Sequence, residues 1–329
     1  MGDKVKAIGL FSGGLDSMLA VKLLQEQDIE VIGYAFATPF FGPEQAIKSS
    51  KEVGIQLEVW EITERYMELM KAPKYGFGKN MNPCIDCHAL MFRLAAQKLA
   101  AHGARFLFSG EVLGERPFSQ TKGALRAVGH LSGCEDVIVR PLSAKLLEET
   151  PPEKAGWVDR SRLEDIQGRS RKRQMALAAH FGFSDYPKPA GGCLLTEPHF
   201  SKRLKDLLKE RPDPRRRDLE LLKVGRHIRW GEDCKVIVGR REEENNRLEA
   251  LWERGDFRLW VNGFPGPVVL VPAPPPPSED ALRFAAGLAV RYSDAPQGLV
   301  AEVACTDGDR HETFHTAACP DEDIQPRMI

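Results

Sequence analysis

The residues with the clearest chemistry stand near the start of the chain, in Ser12–Ser17, whose sequence is SGGLDS. The apolar run Val5–Phe11 before this segment predicts a buried strand, and apolar residues at helical spacing after it predict a helix. Two glycines let the backbone approach a ligand closely, and the dipole of the following helix adds positive potential there. This strand, turn and helix together predict a phosphate-binding loop.

An acidic side chain inside such a loop indicates a divalent cation, because Asp16 would otherwise repel the phosphates. Serine hydroxyls stand at both ends of the loop, at Ser12 and Ser17. No Gly-Lys-Ser/Thr follows the glycines, so the loop is not the lysine-containing nucleotide cradle. A tight turn that only caps a helix is the alternative, since Ser and Asp also suit a helix start.

Three cysteines form the second group of reactive residues. Cys84 and Cys87 are a Cys-x-x-Cys pair at the predicted start of a helix, a position that lowers a thiol pKa and favours the nucleophilic, metal-binding thiolate. The pair fits half a zinc site, a redox disulfide, two ligands of an iron–sulfur cluster, or two buried helix-start cysteines. Cys193 stands at the predicted tip of a proline- and glycine-rich loop, Tyr186–Thr196.

The other cysteines offer less. The chain has seven in 329 residues, an odd number that does not suggest a secreted disulfide framework. Cys134 could close a four-cysteine zinc site with the three above. Cys234, Cys305 and Cys319 have no partner at metal-ligand spacing.

Composition predicts a cytoplasmic protein with no membrane contact. The sequence has no apolar run of transmembrane length, and its first residues lack the apolar core of a signal peptide. The 46 basic and 47 acidic residues nearly cancel, so any surface that attracts nucleic acid has to be local.

The elements that position these residues alternate between strand and helix over the first 208 residues. Strands are predicted at Ile29–Phe36, Gln56–Ile62, Arg105–Ser109 and Val137–Leu142, and a long helical pattern at Ser161–Phe181. This alternation predicts an α/β fold with a doubly wound parallel sheet, whose ligands bind at the carboxyl ends of the strands.

A local basic segment interrupts the last helical pattern. Its side chains are expected either to contact an RNA backbone or to form a solvated helix face. The residues concerned are Arg169, Arg171, Lys172 and Arg173.

The chain changes character near residue 208. A proline- and arginine-rich stretch lies within residues 209–234, which we expect to be a linker. Short alternating strands and a helix capped by Ser278 follow, so residues 235–329 are predicted to form a smaller α+β domain.

The loop at Ser12–Ser17 resembles the PP-loop of the ATP pyrophosphatases, a family that includes the tRNA thiouridine synthases. The resemblance implies an adenine nucleotide alpha hydrolase-like first domain that cleaves ATP between its α and β phosphates, with Mg²⁺, and adenylates a substrate oxygen. The residues that it assigns to ATP are Ser12, Gly13, Gly14, Asp16, Ser17, Phe36, Gly110 and Arg116.

The cysteines are similar to those of the PP-loop tRNA thiolation enzymes, which carry a Cys-x-x-Cys and a further cysteine about a hundred residues later. One branch holds a [4Fe-4S] cluster on three cysteines, and another uses two cysteines as nucleophile and persulfide carrier. The presence of Cys84, Cys87 and Cys193 favours the cluster as metal site, with Zn²⁺ or no metal as alternatives. Asp16, Cys84 and Cys193 are then the catalytic residues.

The carboxyl-terminal region resembles the RNA-binding domain of the NFACT proteins over roughly Lys235 to Asp323. The resemblance implies that Arg240, Arg247 and Trp260 contact phosphate and bases. Alternatively, Trp260 is a core residue of a small sheet.

These patterns together predict an ATP-dependent tRNA sulfurtransferase that replaces a uridine oxygen with sulfur. The expected partners are tRNA and a sulfur donor, either free sulfide or a carrier protein, and a homodimer is left open. The alternatives are a PP-loop enzyme that sulfurates or amidates a small metabolite, and a non-catalytic ATP- and RNA-binding translation factor.

Overall fold

The computed structural model describes residues 4–186, 192–232 and 234–329. The chain divides into two compact units, Met1–Thr196 and Glu197–Ile329. No helix among the described residues is long and apolar enough to cross a membrane.

The first unit alternates strands and helices, as the hydrophobic pattern predicts. Its strands are β1 (Lys6–Leu10), β2 (Glu30–Ala37), β3 (Gln56–Glu61), β4 (Phe106–Ser109) and β5 (Ile138–Val139). Its helices are α1 (Leu15–Gln25), α2 (Glu44–Val53), α3 (Thr63–Lys71), α4 (Cys84–Ala96), α5 (Leu99–His102), α6 (Lys122–Ser132), α7 (Pro151–Lys154) and α8 (Lys172–His180).

The strands form one parallel sheet in the order β3-β2-β1-β4-β5. The chain leaves β1 in one direction and later returns to its other side as β4, so the switch of strand order falls at β1. In register, Leu10 at the end of β1 lies between Tyr34 of β2 and Ser109 of β4. Because ligands bind outside the carboxyl ends of such strands at the switch point, the segments after Leu10 and Ser109 are the place for a site. The predicted fold of this unit is confirmed.

The long helix predicted over Ser161–Phe181 is wrong. Only α8, Lys172–His180, is helical, and the basic segment before it is a loop. Its backbone is held instead by the loop after β4, because the Gly168 N–H donates to the Leu113 carbonyl at 2.7 Å. Residues 187–191 of the predicted loop Tyr186–Thr196 lie outside the described residues.

The second unit is a helix-backed antiparallel sheet. Its strands are β6 (Arg226–Trp230), β7 (Cys234–Val238), β8 (Phe257–Val261), β9 (Val269–Val271), β10 (Ala301–Thr306) and β11 (His311–Thr316). Its helices are α9 (Pro198–Glu210), α10 (Arg216–Leu221), α11 (Glu242–Leu251), α12 (Glu279–Arg291) and α13 (Asp321–Ile324).

The six strands are ordered β11-β10-β8-β9-β7-β6, and each neighbouring pair is antiparallel. Helix α12 contributes a run of buried residues from Ala281 to Val290 to the core of this sheet, and the Ser278 hydroxyl caps it by accepting from the Ala281 N–H at 3.2 Å. The α+β class is therefore confirmed.

The predicted boundary at residue 208 and the predicted linker 209–234 do not match this division. Helix α9 belongs to the second unit, where Phe200, Leu204 and Leu207 are buried. Arg203 on the same helix donates to carbonyls of Leu222 at 3.0 Å and Gly225 at 3.1 Å. Proline and arginine here mark the start of α10 rather than a flexible joint.

Candidate functional site

The loop between β1 and α1 is an open turn fixed by its own hydroxyls. Gly13 has φ +77°, a conformation that favours glycine, and its carbonyl accepts from the buried Ser49 hydroxyl at 2.8 Å. The Ser17 hydroxyl donates to the Gly14 carbonyl at 2.8 Å, and the Gly14 N–H reaches Ser12 Oγ at 3.4 Å. Ser12 is exposed and Gly14 is half-buried, so the turn presents its backbone to the carboxyl edge of the sheet. This geometry suits the binding of phosphate.

Gly110, at the end of β4, lies directly against this loop. A Cβ atom at that position would be 2.5 Å from the Asp16 carbonyl carbon and 2.5 Å from the Ser17 nitrogen. Only glycine therefore lets the end of β4 pack against the first turn of α1 without moving it. Gly110 therefore permits the close contact between the end of β4 and the backbone of Asp16 and Ser17.

Four buried polar atoms beside the loop have no hydrogen bond of good geometry among the described residues, although the Gln174 amide lies close enough to the Asp16 carboxylate to lower its pKa. They are Asp16 Oδ1, Arg171 Nε and both amide atoms of Gln174, whose side chain is fully buried. Such atoms are rare in folded proteins, and each costs free energy unless a ligand, ion or water satisfies it. Their concentration at one place marks a binding site for a polar ligand. Gln174 was not predicted, because a glutamine after a basic segment carries no sequence signal.

Two carboxylates and two arginines set the electrostatics of this place. Burial raises the pKa of Asp16, and Arg171, Gln174 and Arg116 partly oppose that rise. Burial also raises the pKa of Glu115, and the negative charge of Asp16 raises it further. Two acids that disfavour each other's charge fit a shared divalent cation, and the arginines fit phosphate oxygens. Glu115 is a second site residue that the sequence did not single out.

Cys84, the first of the three cysteines predicted to act together, is the first residue of α4. Cys84 is half-buried at that start and its sulfur accepts from Asn82 Nδ2 at 3.2 Å. Cys87 is buried one turn later, and its N–H donates to the Pro83 carbonyl at 2.8 Å. The helix start predicted from the Cys-x-x-Cys pair is confirmed.

Cys193 approaches the same pair from a distant part of the sequence. The Leu194 N–H after it donates to the Phe40 carbonyl at 2.9 Å, which ties this segment to the loop after β2. The charges of Cys193 and Cys84 both act on Cys87, so the three sulfurs lie within electrostatic range of one another.

The lowering of the thiol pKa predicted at the Cys-x-x-Cys pair is wrong for Cys87. Burial, followed by the charges of Cys193 and Cys84, raises the pKa of Cys87 well above its usual value. Burial raises the pKa of Cys193 to about 12. The Tyr66 hydroxyl, itself buried, hydrogen-bonds the Cys87 sulfur and partly opposes the rise there. Desolvation outweighs the helix dipole at Cys87, because burial removes the water that stabilises a thiolate.

Arg116 acts electrostatically on one of the thiols and on the phosphate loop. Its guanidinium lowers the pKa of Asp16, and it also lowers the pKa of Cys193. One side chain therefore lies within electrostatic reach of both groups. Although they are 177 positions apart, the fold gathers Asp16 and Cys193 at one edge of the sheet.

The donor set of three thiols fits an iron–sulfur cluster, which cysteine thiolates hold. The sulfurs nonetheless do not form a preassembled site: within residues 4–186, 192–232 and 234–329, no three Cys, His, Asp or Glu side chains are arranged to hold a metal ion. Cys134 does not join them. Its pKa is raised by burial and lowered by Ser132 and Arg93, with no contribution from another cysteine.

A buried ion-pair network positions the cysteine helix. Glu111, just after β4, accepts from His88 Nδ1 at 2.8 Å and from Arg140 Nε at 2.9 Å. Although burial acts to raise it, Arg140 and His88 lower the pKa of Glu111 to about 2. On the same helix, Asp86 accepts from the backbone N–H groups of Lys74 at 2.7 Å and Tyr75 at 3.0 Å. These residues hold the cysteine turn and its glycine-rich approach in place.

The side chain predicted to contact adenine has an aromatic environment. Phe36 is buried near the end of β2, and its ring meets Trp60 edge-on at 6.2 Å between centroids. Its side chain therefore packs against β3.

The basic segment around the start of α8, with Lys172 and Arg173 inside the helix, places its residues in three environments. Arg171 acts on Asp16, so it faces the phosphate loop, whereas Arg173 pairs with Glu164 and Asp165. Arg169 and Lys172 are exposed and form no ion pair with a described carboxylate. The four residues predicted as one RNA-contacting group thus have three different environments.

The predicted RNA-contacting residues of the second unit are already engaged. Arg240 pairs with Glu244, and Arg247 lies 3.7 Å from a carboxylate oxygen of Glu220. Trp260 is half-buried on β8, with the Arg258 guanidinium 5.0 Å from its ring centroid.

Comparison with known protein families gives a match within the second unit. Residues 225–327 match the family model described as the NFACT protein RNA binding domain, which covers about a third of the chain. The NFACT-like character predicted for this region is confirmed. No curated protein matches the chain in sequence.

Several solved structures are similar to the chain at low identity. One is a predicted subunit of a tRNA methyltransferase from Methanocaldococcus jannaschii, with 15% identity over 63% of this chain and 88% of that one, and a TM-score of 0.38. A 4-thiouridine synthetase in a complex with RNA and bound ATP shares 17% identity over 67% of this chain and 52% of that one, also at 0.38. The C-terminal part of the fibronectin/fibrinogen-binding protein from Streptococcus suis shares 12% over 96% of each chain, at 0.30. The chemistry of this chain has to be inferred from its own side chains.

Proposed function

We propose that the chain is an ATP-dependent tRNA sulfurtransferase. The first unit would bind ATP with Mg²⁺, transfer the adenylyl group to a carbonyl oxygen of a tRNA uridine, and release pyrophosphate. Sulfur would then attack the activated carbon, and AMP would leave with the original oxygen. The second unit would bind the RNA.

The observation that carries this proposal is that Asp16 and Cys193 belong to segments at the carboxyl edge of the same parallel sheet. Asp16 follows β1, and the Leu194 N–H beside Cys193 donates to the Phe40 carbonyl, in the loop after β2, at 2.9 Å. An enzyme that activates an oxygen with ATP and then replaces it with sulfur needs its nucleotide and its thiols at a single site. A ligase without sulfur chemistry would not need three cysteines within electrostatic range of one another. The orphaned polar atoms around Asp16 support a phosphate ligand there.

The chain's own residues would act chiefly by positioning and by electrostatics. The backbone of Gly13 and Gly14, at the positive end of α1, would bind phosphate oxygens. Arg171 and Arg116 would offset charge that develops as pyrophosphate leaves, and the Gln174 amide would orient a neighbouring oxygen. Ser17 would hold the turn, since its hydroxyl donates to Gly14. Phe36 and Gly110 would shape the site.

Two absent groups would complete the chemistry. Asp16 and Glu115 would hold Mg²⁺, which supplies positive charge to the phosphates. Cys84, Cys87 and Cys193 would hold a [4Fe-4S] cluster, which leaves one iron without a protein ligand and open to sulfur. Burial of Cys87 would exclude water from this part of the site.

RNA as the substrate rests on the match of residues 225–327 to an RNA-binding domain family. In the first unit, Arg169 and Lys172 are the exposed cations of the basic segment that could contact an RNA backbone. Arg240, Arg247 and Trp260 would make weaker contacts in the second unit, because both arginines are paired with carboxylates. Free sulfide or a carrier protein would donate the sulfur.

The decisive experiment is mass spectrometry of tRNA nucleosides from a strain that lacks the protein. We expect one thionucleoside to disappear and to return with the parental chain but not with the Asp16→Asn variant. The persistence of every thionucleoside, in a strain with no second enzyme for any of them, would refute the proposal.

A cluster-free persulfide mechanism is the second candidate, because the three thiols are not preassembled as a metal site in the described residues. Anaerobic purification separates the two. A brown protein with about four irons per chain, which loses its colour in Cys193→Ala, supports the cluster. A colourless, active protein that accumulates a persulfide on one cysteine supports the alternative.

A further inference from the structure

Helix α9 presents a row of lysines that neither the predicted site nor the family match accounts for. Lys202, Lys205 and Lys209 are exposed and separated by three and four positions, so they share one face of the helix. The opposite face, with Phe200, Leu204 and Leu207, is buried in the second unit. The lysine row spans about 10 Å along the helix axis.

This row lines an open groove of about 480 Å³, entirely within the second unit. We call it the lysine groove and define it by its cations, Lys202, Lys205, Lys209, Arg229 and Arg327. The chain segment 326–329 forms part of its wall, where Met328 makes an antiparallel bridge to Ile228 and the Ile329 N–H donates to the His227 carbonyl at 3.0 Å.

The acidic groups beside the groove do not neutralise its lysines. Asp206 is bound by Arg229 and by Lys235, the latter at 2.6 Å, and Glu210 is also bound by Arg229. None of Lys202, Lys205 and Lys209 forms an ion pair with a described carboxylate. The α9 wall of the groove therefore presents three ammonium groups that no described carboxylate neutralises.

The arrangement fits a polyanion better than a single small anion. The ammonium groups are exposed and spread along the helix rather than convergent on one point, and lysine acts as a mobile point charge without the planar fork of arginine. Among the described residues that line the groove, none has an aromatic ring or an amide side chain to read a base. Contacts of this kind follow a phosphate backbone without reading its sequence.

We propose that the lysine groove binds the phosphate backbone of RNA, outside the contacts expected from Arg240, Arg247 and Trp260. The proposal rests on the proposed function, in which RNA is the substrate. It adds a binding surface on α9, which precedes residues 225–327 in the sequence. The alternating pattern of the first 208 residues had predicted that most of this helix belongs to the first domain.

The test measures the affinity of the full chain for unmodified tRNA as a function of salt. The variant carries Lys202→Gln, Lys205→Gln and Lys209→Gln, which keep good helix-forming residues on an exposed face. We expect at least a roughly tenfold loss of affinity at low salt, and a slope of log K against log salt that is shallower by about two, since each lost phosphate contact contributes about 0.7 for a single strand. Thermal melting checks that the variant is folded.

The matched control removes three exposed lysines of the first unit, with Lys51→Gln, Lys145→Gln and Lys154→Gln. An equal loss of affinity in both triple variants would mean a general charge effect and would overturn the proposal, as would parental affinity and slope in the α9 variant. Binding of the parent, but not the α9 variant, to phosphatidylserine vesicles with unchanged tRNA affinity would assign the groove to a membrane surface instead. Competition by millimolar inorganic phosphate would assign it to a small anion.

The outcome is independent of catalysis. If all thionucleosides persist in the deletion strain while the α9 variant loses tRNA affinity, the sulfurtransferase proposal fails and the groove remains an RNA-binding surface. If thiolation is confirmed while the α9 variant binds tRNA like the parent, only the groove proposal fails.

Discussion

The arginines of the two units differ in what they face. Arg116 and Arg171 of the first unit form no ion pair with a described carboxylate, and both act on Asp16 in the phosphate loop. In the second unit most arginines are paired with acids of the same unit. Those with an ion pair are Arg211, Arg215, Arg217, Arg229, Arg240, Arg247, Arg254, Arg258, Arg283, Arg291 and Arg327.

An arginine that is paired with an acid is occupied within the fold, whereas an unpaired arginine is available to a ligand. A surface ion pair contributes little to stability, but it does occupy the cation. An unpaired buried polar group costs about 1–3 kcal/mol, and a chain retains such a group only where something else compensates. Whether an arginine is paired with an acid, rather than its presence in the sequence, therefore indicates whether it is available to bind phosphate.

The largest effect is expected at the acid between these arginines. Asp16→Asn should reduce pyrophosphate release by on the order of 1000-fold, because it removes a charge that would hold the metal. The fold should be at least as stable as the parent's, since burial already disfavours the Asp16 carboxylate. Pyrophosphate assays and thermal melting would measure the two quantities.

Asp165→Asn is the control for this change, because Asp165 is a half-exposed acid that pairs with Arg173. It should leave pyrophosphate release within twofold of the parental rate. A strongly destabilised Asp16→Asn protein would mean that Asp16 is only a helix-capping residue, the alternative that its sequence position leaves open.

The next effect compares Arg171 and Arg173, which are two positions apart at the start of α8. Arg171→Gln should lower kcat/KM for ATP by about 100-fold, because Arg171 faces the phosphate loop with its Nε unsatisfied. Arg173→Gln should change it less than twofold, because Arg173 is held by Glu164 and Asp165. Steady-state kinetics of both variants would test this, and equal losses would contradict the assignment of Arg171 to the nucleotide.

These two neighbours also show how far the sequence alone could lead. The glycines and Asp16 predicted the phosphate loop, because strand, turn and helix are local patterns. The same was true of the helix start at Cys84. The count of basic residues could not separate Arg171 from Arg173. Which of them pairs with Glu164 and which faces Asp16 depends on the path of the chain after Gly168.

Burial was the other property that the sequence did not reveal. The rule that a helix start lowers a thiol pKa is sound for exposed groups, yet Cys87 is buried and its pKa is raised. Gln174 and Glu115 became visible as site residues only through their buried, unpaired or mutually repelling atoms. The membership of helix α9 in the second unit follows from the contacts of Arg203 and the burial of Leu204.

A smaller effect concerns a buried histidine in the second unit. Burial, together with the positive charges of Arg203 and Lys235, lowers the pKa of His227 well below 6.5, so the folded protein holds it neutral. An unfolded chain takes up a proton near pH 6.5, so this contribution to stability is complete above pH 6.5 and is lost as pH falls below it. The free energy of unfolding should decrease by up to about 1.4 kcal/mol per pH unit there.

Hydrogen–deuterium exchange of peptides from β6 and β7 would follow this unit within the full chain. Exchange by unfolding should become more frequent between pH 6.5 and 5.5, after correction for the intrinsic pH dependence of exchange. His227→Gln should flatten that dependence. A variant with the parental pH dependence would show that another group is responsible.

The smallest effect concerns a paired arginine of the second unit. Glu244 holds the Arg240 guanidinium, and it also accepts from the Arg240 N–H at 2.8 Å. Because Arg240 is partly exposed, this pair contributes at most about 1 kcal/mol, and a phosphate could displace it only with little net gain. Arg240→Gln should therefore weaken tRNA binding less than threefold, whereas Glu244→Gln should strengthen it two- to threefold by releasing the cation. Titrations of tRNA at fixed salt would resolve both changes. A loss of tenfold or more in Arg240→Gln would mean that phosphate replaces Glu244 in the complex, and the distinction between paired and unpaired arginines would then hold for the free protein alone.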